Sequence, residues 1–245
     1  MDAEWWKSYF PIAANAQIDA ALTRENVVEA AWVAECLGLK SGDRVLDVPC
    51  GEGRLARELA LRGCHMVGVD FEPKVLDAGR DRAAKLNLKI AFEQCDMREL
   101  PWTDTFDGAF CYFGSFGYFE DAENARFVRA VHRALKPGAR FLIETHCMET
   151  LLPAFTPRGW HQEGQTIILQ DRQLDVAAGR INAEWTFIEP TGVSKSNVSI
   201  RLYTFRELVS LFETAGFAEC LGFDTASHRE FSGNAKRLTF VGKKR

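Results

Sequence analysis

The 245-residue sequence predicts an α/β protein with a doubly wound, seven-stranded, mostly parallel sheet and an antiparallel β flap inserted after the fifth strand. Three observations support this prediction. Apolar strand-like runs alternate with amphipathic helical segments between residues 44 and 146, a rhythm typical of parallel sheets. A glycine-containing loop follows the first run. Strand-like runs without intervening helices fill the region from 153 to 203.

The first half of the chain carries the alternating elements. Thr23 is predicted to cap a helix whose apolar face contains Val28, Trp32 and Cys36 and which ends near Gly38. The later elements are, in order, strand RVLDV, a helix from Gly53, strand HMVGVD, a helix from Pro73, strand IAFEQC, strand FDGAFCYF (106–113), a helix stopped by Pro137 and Gly138, and strand RFLIETH (140–146).

The second half changes pattern. Three strand-like runs, TIILQDRQLDV, RINAEWTFI and VSIRLY, form the predicted flap. Thr204 and Glu207 are predicted to form a capping box that begins a helix closed by Gly216. Strands FAECLGF and RLTFVG then follow as an antiparallel hairpin at the sheet edge. We therefore predict one domain over 1–245, with an N-terminal helical arm or lid at 1–40 and the flap at 153–203.

Composition restricts the class of partner. The net charge is −4, and the longest basic run is Lys243, Lys244 and Arg245, which disfavours nucleic acid and acidic membranes. The N-terminus lacks the apolar region of a signal peptide, so we expect a soluble, unprocessed, cytoplasmic protein. Seven widely spaced cysteines without a CxxC pair predict free thiols and no metal site. A small-molecule partner is favoured. The flap either covers the substrate or forms the interface of a homodimer.

The loop after the first strand contains two glycines, Gly51 and Gly53, which let the backbone approach a ligand at a helix N-terminus. The same loop satisfies the dinucleotide fingerprint, so an NAD(P)-dependent oxidoreductase is one alternative. Asp47 and Glu52 flank the turn, where they would repel a pyrophosphate and attract a cation such as the ammonium and sulfonium groups of S-adenosylmethionine. The acids therefore favour the cationic ligand.

Two further strand ends carry acids. Asp70 ends the second strand, and its carboxylate can accept from both hydroxyls of a ribose. Phe71 can pack against an adenine ring. After the third strand, Asp96 can accept from the adenine amino group while the backbone N–H of Met97 donates to the ring. Glycines and acids thus meet at three successive strand ends, which predicts a nucleotide site.

Five segments, VLDVPCGEGRLARELA, VGVD, CDMRELPW, FDGAFCYFGSFGYFED and ALKPGARFLIET, resemble in order the motifs of class I S-adenosylmethionine-dependent methyltransferases. The resemblance covers residues 43 to 146, and LYTFRELVSLFETAGF extends it to bacterial small-molecule enzymes that include aminosugar N-methyltransferases. It implies methyl transfer from S-adenosylmethionine to the oxygen or nitrogen of a small molecule. A protein that binds this cofactor without transferring methyl is the alternative.

The resemblance also implies site residues. Pro49 departs from the family, which usually has glycine there, whereas Gly51 and Gly53 remain. The implied cofactor-binding residues are Asp47, Pro49, Cys50, Gly51 and Gly53 at the methionine end, Asp70 and Phe71 at the ribose and ring, Asp96 and Met97 at the adenine, and Tyr112, Phe113 and Gly114 beside the methyl donor.

The residues that bind the acceptor are harder to identify from sequence, because methyl transfer mainly requires alignment of the nucleophile and the methyl carbon. His146 is the best-placed general base, with Glu144 two residues earlier on the same strand face. A structural role for this histidine is the alternative. The aromatic arm containing Trp5, Trp6, Tyr9 and Phe10 either closes over the cofactor or packs on the first helix. Candidate substrate-pocket residues are Tyr9, Phe116, Tyr118, Arg201 and Tyr203.

Overall fold

The computed structural model describes residues 4–7, 9 and 24–245, so the predicted cap Thr23 and the arm residue Phe10 lie outside the described residues. The larger sheet has seven strands. These are β1 (Arg44–Asp47), β2 (His65–Asp70), β3 (Ala91–Gln94), β4 (Phe106–Cys111), β5 (Leu135–Thr145), β10 (Phe217–Asp224) and β11 (Leu238–Lys244). Their order is β10-β11-β5-β4-β1-β2-β3, with β1 to β5 parallel. The doubly wound prediction is confirmed.

Residues 5–7 and 9 are helical, and six further α-helices lie between residues 24 and 245. They are α1 (Arg24–Leu37), α2 (Arg54–Leu61), α3 (Pro73–Lys85), α4 (Asp121–Ala134), α5 (Met148–Leu151) and α6 (Phe205–Ala215), with short 3₁₀ turns at Met97–Glu99 and Leu152–Ala154. No helix among these residues is long and apolar enough to cross a membrane. The capping box of Thr204 and Glu207 is confirmed, as is Gly216 in the left-handed conformation at the end of α6.

Two helix predictions were wrong in detail. Val28 is 52% exposed, so it does not belong to the buried face of α1, which instead contains Ala30, Val33 and Leu37 together with Trp32. The helix α4 ends at Ala134, before the proline and glycine expected to stop it, because β5 already begins at the next residue. The strand pairs with β4 from its first residue, so tertiary pairing overrides the local stop signal.

The flap is a separate antiparallel sheet of four strands in the order β6-β7-β8-β9. Its strands are β6 (Arg158–Glu163), β7 (Thr166–Asp175), β8 (Arg180–Glu189) and β9 (Gly192–Arg201). The sequence predicted three, and it missed β6 because this edge strand has a single large apolar residue, Trp160, which is 70% exposed. The last strand also begins earlier than its apolar run suggested, since it pairs with β8 along its whole length.

The C-terminal hairpin is confirmed, and its position matters for the site. Strand β11 lies between β10 and β5 and is antiparallel to both. Leu238 pairs with Thr145 and Thr239 with Glu144, so the beginning of β11 lies beside the carboxyl end of β5. Arg237, immediately before β11, therefore reaches the sheet edge at which the parallel strands end.

Apolar side chains cover both faces of the larger sheet. Leu46, Ala109 and Phe141 belong to one buried cluster, whereas their neighbours Val45 and Phe110 belong to another. Successive side chains of a strand point to opposite faces, so this division places helices and core on both sides of the strands. Because both faces of the sheet are covered, a ligand can reach the sheet only at the ends of the strands.

Candidate functional site

Two adjoining cavities lie at the carboxyl ends of the parallel strands, where ligands bind in open α/β sheets. The inner cavity is bounded by the ends of β2 and β3, and the outer cavity by the ends of β1, β4 and β5 and by the flap. The outer cavity has a volume of about 660 Å³, within the range of small-molecule sites. Both cavities are lined by Pro49, Gly51, Val75, Ser115 and Tyr118.

The glycine loop has the backbone conformation that its sequence predicted. Gly51 and Gly53 adopt φ of 52° and 68°, in the left-handed region that glycine enters without strain. A Cβ on Gly53 would lie 2.8 Å from the ring of Phe92, whereas one on Gly51 would meet nothing within 4 Å. Gly53 lines neither cavity, so its part is to shape the turn into α2, while Gly51 lines both.

Asp70 connects this loop to the inner cavity. Its Oδ2 accepts from the backbone N–H of Gly51 at 2.9 Å, and its Oδ1 accepts from that of Glu72 at 3.0 Å. The side chain is 9% exposed, and burial raises its pKa against the opposing effect of these hydrogen bonds. Each carboxylate oxygen retains a lone pair, so Asp70 can hold the loop and accept from a diol together.

Asp47 supplies the buried acid of the outer cavity. Its side chain is 4% exposed, and burial raises its pKa well above the ordinary value for aspartate. The nearby Arg54 guanidinium opposes that shift, and Asp70 adds to it. Arg54 is itself paired with Glu29. A cation entering the cavity would therefore stabilise the ionised form of Asp47.

Asp96 lines the inner cavity with both oxygens already engaged. Arg98 donates from Nε to Oδ1 at 2.9 Å and from Nη2 to Oδ2 at 2.6 Å. Burial alone would raise the pKa of Asp96, but the hydrogen bonds and charge of Arg98 lower it. The same guanidinium pairs with Glu123 and lies 4.3 Å from the ring centroid of Phe119. Asp96 is thus a fixed, ionised acceptor at the cavity wall, with Met97 beside it.

The N-terminal aromatic residues lie over the cavities. The rings of Trp6 and Phe71 meet edge to face with centroids 4.6 Å apart, and those of Trp5 and Tyr118 are 5.2 Å apart. Trp6 lines the inner cavity and Trp5 the outer one. These residues share a buried cluster with the cavity wall and not with α1, which favours the covering role of the arm over packing on the first helix.

His146 and Glu144 meet through a third residue that sequence reasoning missed. Arg237 makes a two-point ion pair with Glu144, which includes Nη2 to Oε2 at 2.8 Å, and its Nη1 lies 3.0 Å from Nε2 of His146. Glu144 also accepts from the backbone N–H of Phe113 at 2.9 Å. Burial and the charges of Arg237 and Arg172 lower the pKa of His146 to about 4. His146 is therefore neutral at physiological pH.

The flap contributes the wall opposite the glycine loop. Gln170, Trp185, Val198 and Ile200 line the outer cavity from β7, β8 and β9, and the rings of Tyr9 and Trp185 meet with centroids 5.6 Å apart. The flap thus covers this cavity. The sequence contains a signal for this wall, because Trp185 and Phe187, like Val198 and Ile200, lie two residues apart and so share one face of a strand.

The structure distributes the predicted site residues as follows. The inner cavity is lined by Pro49, Gly51, Asp70, Phe71, Asp96, Met97 and Tyr118. The outer cavity is lined by Tyr9, Asp47, Pro49, Cys50, Gly51, Tyr112, Phe113, Gly114, Tyr118 and His146. Residues that line a cavity without having been assigned to it by sequence include Arg54, Gln170, Trp185 and Arg237.

Three predicted substrate-pocket residues line neither cavity. Phe116 is 1% exposed and packs in the core against Phe127 and Tyr203. The hydroxyl of Tyr203 donates to Asp121 at 2.8 Å, and Arg201 pairs with the same carboxylate. Tyr203 and Arg201 thus connect the end of the flap to the start of α4, and Phe116 packs in the core beside them. We therefore correct the assignment of all three from substrate contacts to structural contacts.

Comparisons with known proteins agree with the described fold. Residues 45–138 match the model of a methyltransferase domain family. The chain is 34% identical over 122 residues to the ubiquinone biosynthesis O-methyltransferase of Alkalilimnicola ehrlichii, an alignment that covers 49% of this chain and 48% of that protein. The chain spans about half the length of the curated relatives it matches.

Solved structures resemble nearly the whole chain. An S-adenosylmethionine-dependent methyltransferase from Clostridium acetobutylicum superposes with a TM-score of 0.78 at 16% identity, covering 97% of this chain and 99% of that one. The S-adenosylmethionine-bound amino pentose methyltransferase from Micromonospora echinaspora, involved in calicheamicin biosynthesis, gives 0.69 at 20% identity, covering 96% and 97%. At these identities the likeness shows the fold.

Proposed function

We propose that this protein transfers a methyl group from S-adenosylmethionine to a small-molecule acceptor, because residues 45–138 match the model of a methyltransferase domain family and lie in a doubly wound sheet. The observation that carries the proposal is the meeting of the glycine loop with two buried acids, Asp47 and Asp70, at one edge of the sheet. The predicted route is an in-line displacement, for which alignment and exclusion of water are the protein's main contributions.

The residues of the cavities fit this cofactor. Its sulfonium supplies an electrophilic methyl group when it is bound. Asp47, whose ionised form is disfavoured by burial, gains a counter-charge from the ammonium of the methionine end. Asp70 retains acceptor capacity for the ribose hydroxyls, and the inner cavity offers the apolar side chains of Phe71 and Met97 to a flat ring.

The dinucleotide alternative fits less well. A pyrophosphate at the glycine loop would lie near the buried carboxylate of Asp47 and near Glu52, which pairs with Arg82. Repulsion between like charges in a partly buried site weakens binding. The cationic methionine end meets the same two acids favourably, so the electrostatics support the sulfur-containing cofactor.

In this proposal the acceptor shares the outer cavity with the methionine end of the cofactor and lies on the side of the flap. That cavity adjoins the inner one at Gly51, Ser115 and Tyr118, so an acceptor there lies next to the cofactor. Aromatic and aliphatic side chains of the arm and the flap exclude water from the reacting groups. A volume of about 660 Å³ suits a small molecule.

Calorimetric titration of the full chain with S-adenosylmethionine, S-adenosylhomocysteine and NADH, in parallel, tests the cofactor assignment. We expect both sulfur ligands to bind with micromolar dissociation constants, as is ordinary for small ligands, and NADH not to bind. Binding of NADH alone would make the chain an oxidoreductase. Binding of the sulfur ligands without methyl transfer to any of a panel of small acceptors would favour the non-catalytic alternative.

Two further predictions belong to the proposal. The seven free cysteines support a reducing, cytoplasmic location. Leu169 and Val193 are exposed apolar residues of β7 and β9, whose other face lines the outer cavity, and the exposed Trp160 of β6 pairs with Leu169. These three side chains support a homodimer formed through the flap. Sedimentation analysis of the wild-type protein against Trp160→Ser tests the dimer.

A further inference from the structure

The outer cavity contains a polar group that cofactor binding leaves unused. Arg237 lines the cavity with its side chain 32% exposed, and it holds Glu144, which is 2% exposed. A guanidinium has five N–H donors. In the described part of the chain, two of those of Arg237 engage Glu144 and one engages His146. Two donors therefore remain for a molecule in the cavity.

The Arg237–Glu144 ion pair presents its guanidinium side to an acceptor, because Arg237 lines the cavity and Glu144 does not. The carboxylate of Glu144 is neutralised by its ion pair with Arg237 and by the N–H of Phe113. The flap residues that line the cavity are uncharged, with Gln170 as the polar one, and Gln170 accepts from Arg172, whose charge also acts on His146. The remaining carboxylates of the cavity belong to the glycine loop, where Glu52 pairs with Arg82.

Among the described residues, the basic lone pair of His146 is already engaged by Arg237. Arg237 can only donate, so Nε2 of His146 is the accepting nitrogen. Its Nδ1 lies 3.5 Å from Oγ1 of Thr150, and that hydroxyl donates to the carbonyl of Cys147 at 3.1 Å. Nδ1 is therefore the protonated nitrogen. The histidine predicted to be a general base instead orients the guanidinium.

We propose that Arg237 binds the nucleophilic oxygen of the acceptor, and that the acceptor is a phenol or enol that reacts as its anion. This inference rests on the proposed function. The acceptor oxygen loses its proton to water, then gives an electron pair to the methyl carbon as the bond from that carbon to sulfur breaks, and the sulfur keeps the electron pair. The guanidinium stabilises the oxyanion and so replaces a general base.

The apolar walls agree with a planar acceptor. Tyr9, Tyr118 and Trp185 line the same cavity as Arg237, together with Val198 and Ile200. Aromatic rings pack edge to face or offset against such side chains. A protonated amine would lie beside the guanidinium and lose affinity through like charge, which separates this site from that of the aminosugar enzymes the sequence resembles.

Binding of phenols to the full chain saturated with S-adenosylhomocysteine tests the inference. The probes are 4-nitrophenol and 2-naphthol, with 4-nitrobenzylamine and 2-naphthylmethylamine as cations of similar shape. We expect the phenols to bind more tightly than the amines. We also expect the absorbance of bound 4-nitrophenolate to persist at a lower pH than in free solution, because the guanidinium favours the anion.

The matched variants are Arg237→Gln with Glu144→Gln, which removes both charges of the buried pair together, and the conservative Arg237→Lys. The double variant should weaken phenol binding by about tenfold or more while S-adenosylhomocysteine still binds. Arg237→Lys should retain the shift of the nitrophenol titration in part, since the charge remains.

The outcomes separate the two proposals. If S-adenosylhomocysteine does not bind, the proposed function fails. If it binds but neither phenol does, if the amines bind at least as tightly as the phenols, or if the double variant binds phenols as the wild type does, the assignment of Arg237 and of the acceptor class is overturned and the cofactor assignment remains.

Discussion

Nη1 of Arg237 lies 3.0 Å from Nε2 of His146, and this contact joins the end of β5 to the start of β11. It ties the ionisation of His146 to the stability of the fold. The folded pKa of about 4 lies below the unfolded value of about 6.5, so between those values the unfolded state binds the extra proton. The contribution of His146 to stability is present above pH 6.5 and is lost as the pH falls through this window.

His146→Gln should remove this dependence while keeping an acceptor for Arg237. Relative to the wild type, the variant should be more stable at pH 5 than at pH 7.5, with its free energy of unfolding larger by on the order of 2 kcal/mol. Urea unfolding at both pH values measures the difference. An equal difference at the two pH values would contradict the assigned neutral state.

Asp47→Asn should stabilise the ligand-free protein and weaken cofactor binding. Burial raises the folded pKa of Asp47 above its unfolded value, so ionising the acid at neutral pH costs stability, and that cost disappears as the pH falls. We expect a gain of roughly 0.5–2 kcal/mol at pH 7 that shrinks toward pH 4, measured by urea unfolding.

Asp107→Asn is the matched contrast for that experiment. Asp107 pairs with Lys136 and accepts from the backbone N–H of Arg44, and these hydrogen bonds lower its pKa against the effect of burial. Its replacement should lower stability and leave cofactor binding unchanged. A ligand-free Asp47→Asn protein less stable than the wild type at neutral pH would refute the role given to burial.

Asp70→Ala should weaken binding of S-adenosylhomocysteine by about 1 to 3 kcal/mol, because it removes both the acceptor for the ribose and the anchor of Gly51. Isothermal calorimetry measures the change. Glu93→Ala, at an exposed position on the adjacent strand β3, is the control and should bind as the wild type does. Unchanged affinity in Asp70→Ala would remove the ribose assignment.

Trp6→Ala should lower cofactor affinity by roughly 1–3 kcal/mol, since Trp6 is 6% exposed, packs on Phe71 and lines the inner cavity. The control is Trp160→Ala, which removes the same side chain from an exposed site on β6. Calorimetry on both variants distinguishes a covering role from a general effect of losing tryptophan. Equal affinities would show that the arm does not contribute to the site.

Gly53→Ala and Gly51→Ala differ in one physical respect. Both positions have positive φ, but a Cβ at residue 53 would collide with Phe92, whereas at residue 51 the space is open. We expect each variant to lose about 1 kcal/mol from backbone strain and Gly53→Ala to lose about 1–3 kcal/mol more from overpacking. Thermal unfolding measures both, and equal losses would disprove the steric argument.

The lining of the inner cavity was accessible from sequence because its signals are local. Asp70 ends its strand, and Gly51 and Asp96 follow theirs by a few residues. Parallel strands bring their carboxyl ends to one edge whatever the details of packing. The acceptor half was poorly predicted. Phe116 and Tyr203 are aromatic like true lining residues, but which face they present depends on α4 and the flap.

The sequence by itself determined the succession of strands and helices in the larger sheet, the glycine loop and the acids at the strand ends, since these follow from hydrophobic periodicity and backbone conformation over a few residues. Only the tertiary structure decided that Arg237 meets Glu144 and His146, which lie more than ninety residues earlier in the chain. The antiparallel insertion of β11 beside β5 creates that contact, and strand pairing between distant segments is set by the packing of the whole sheet.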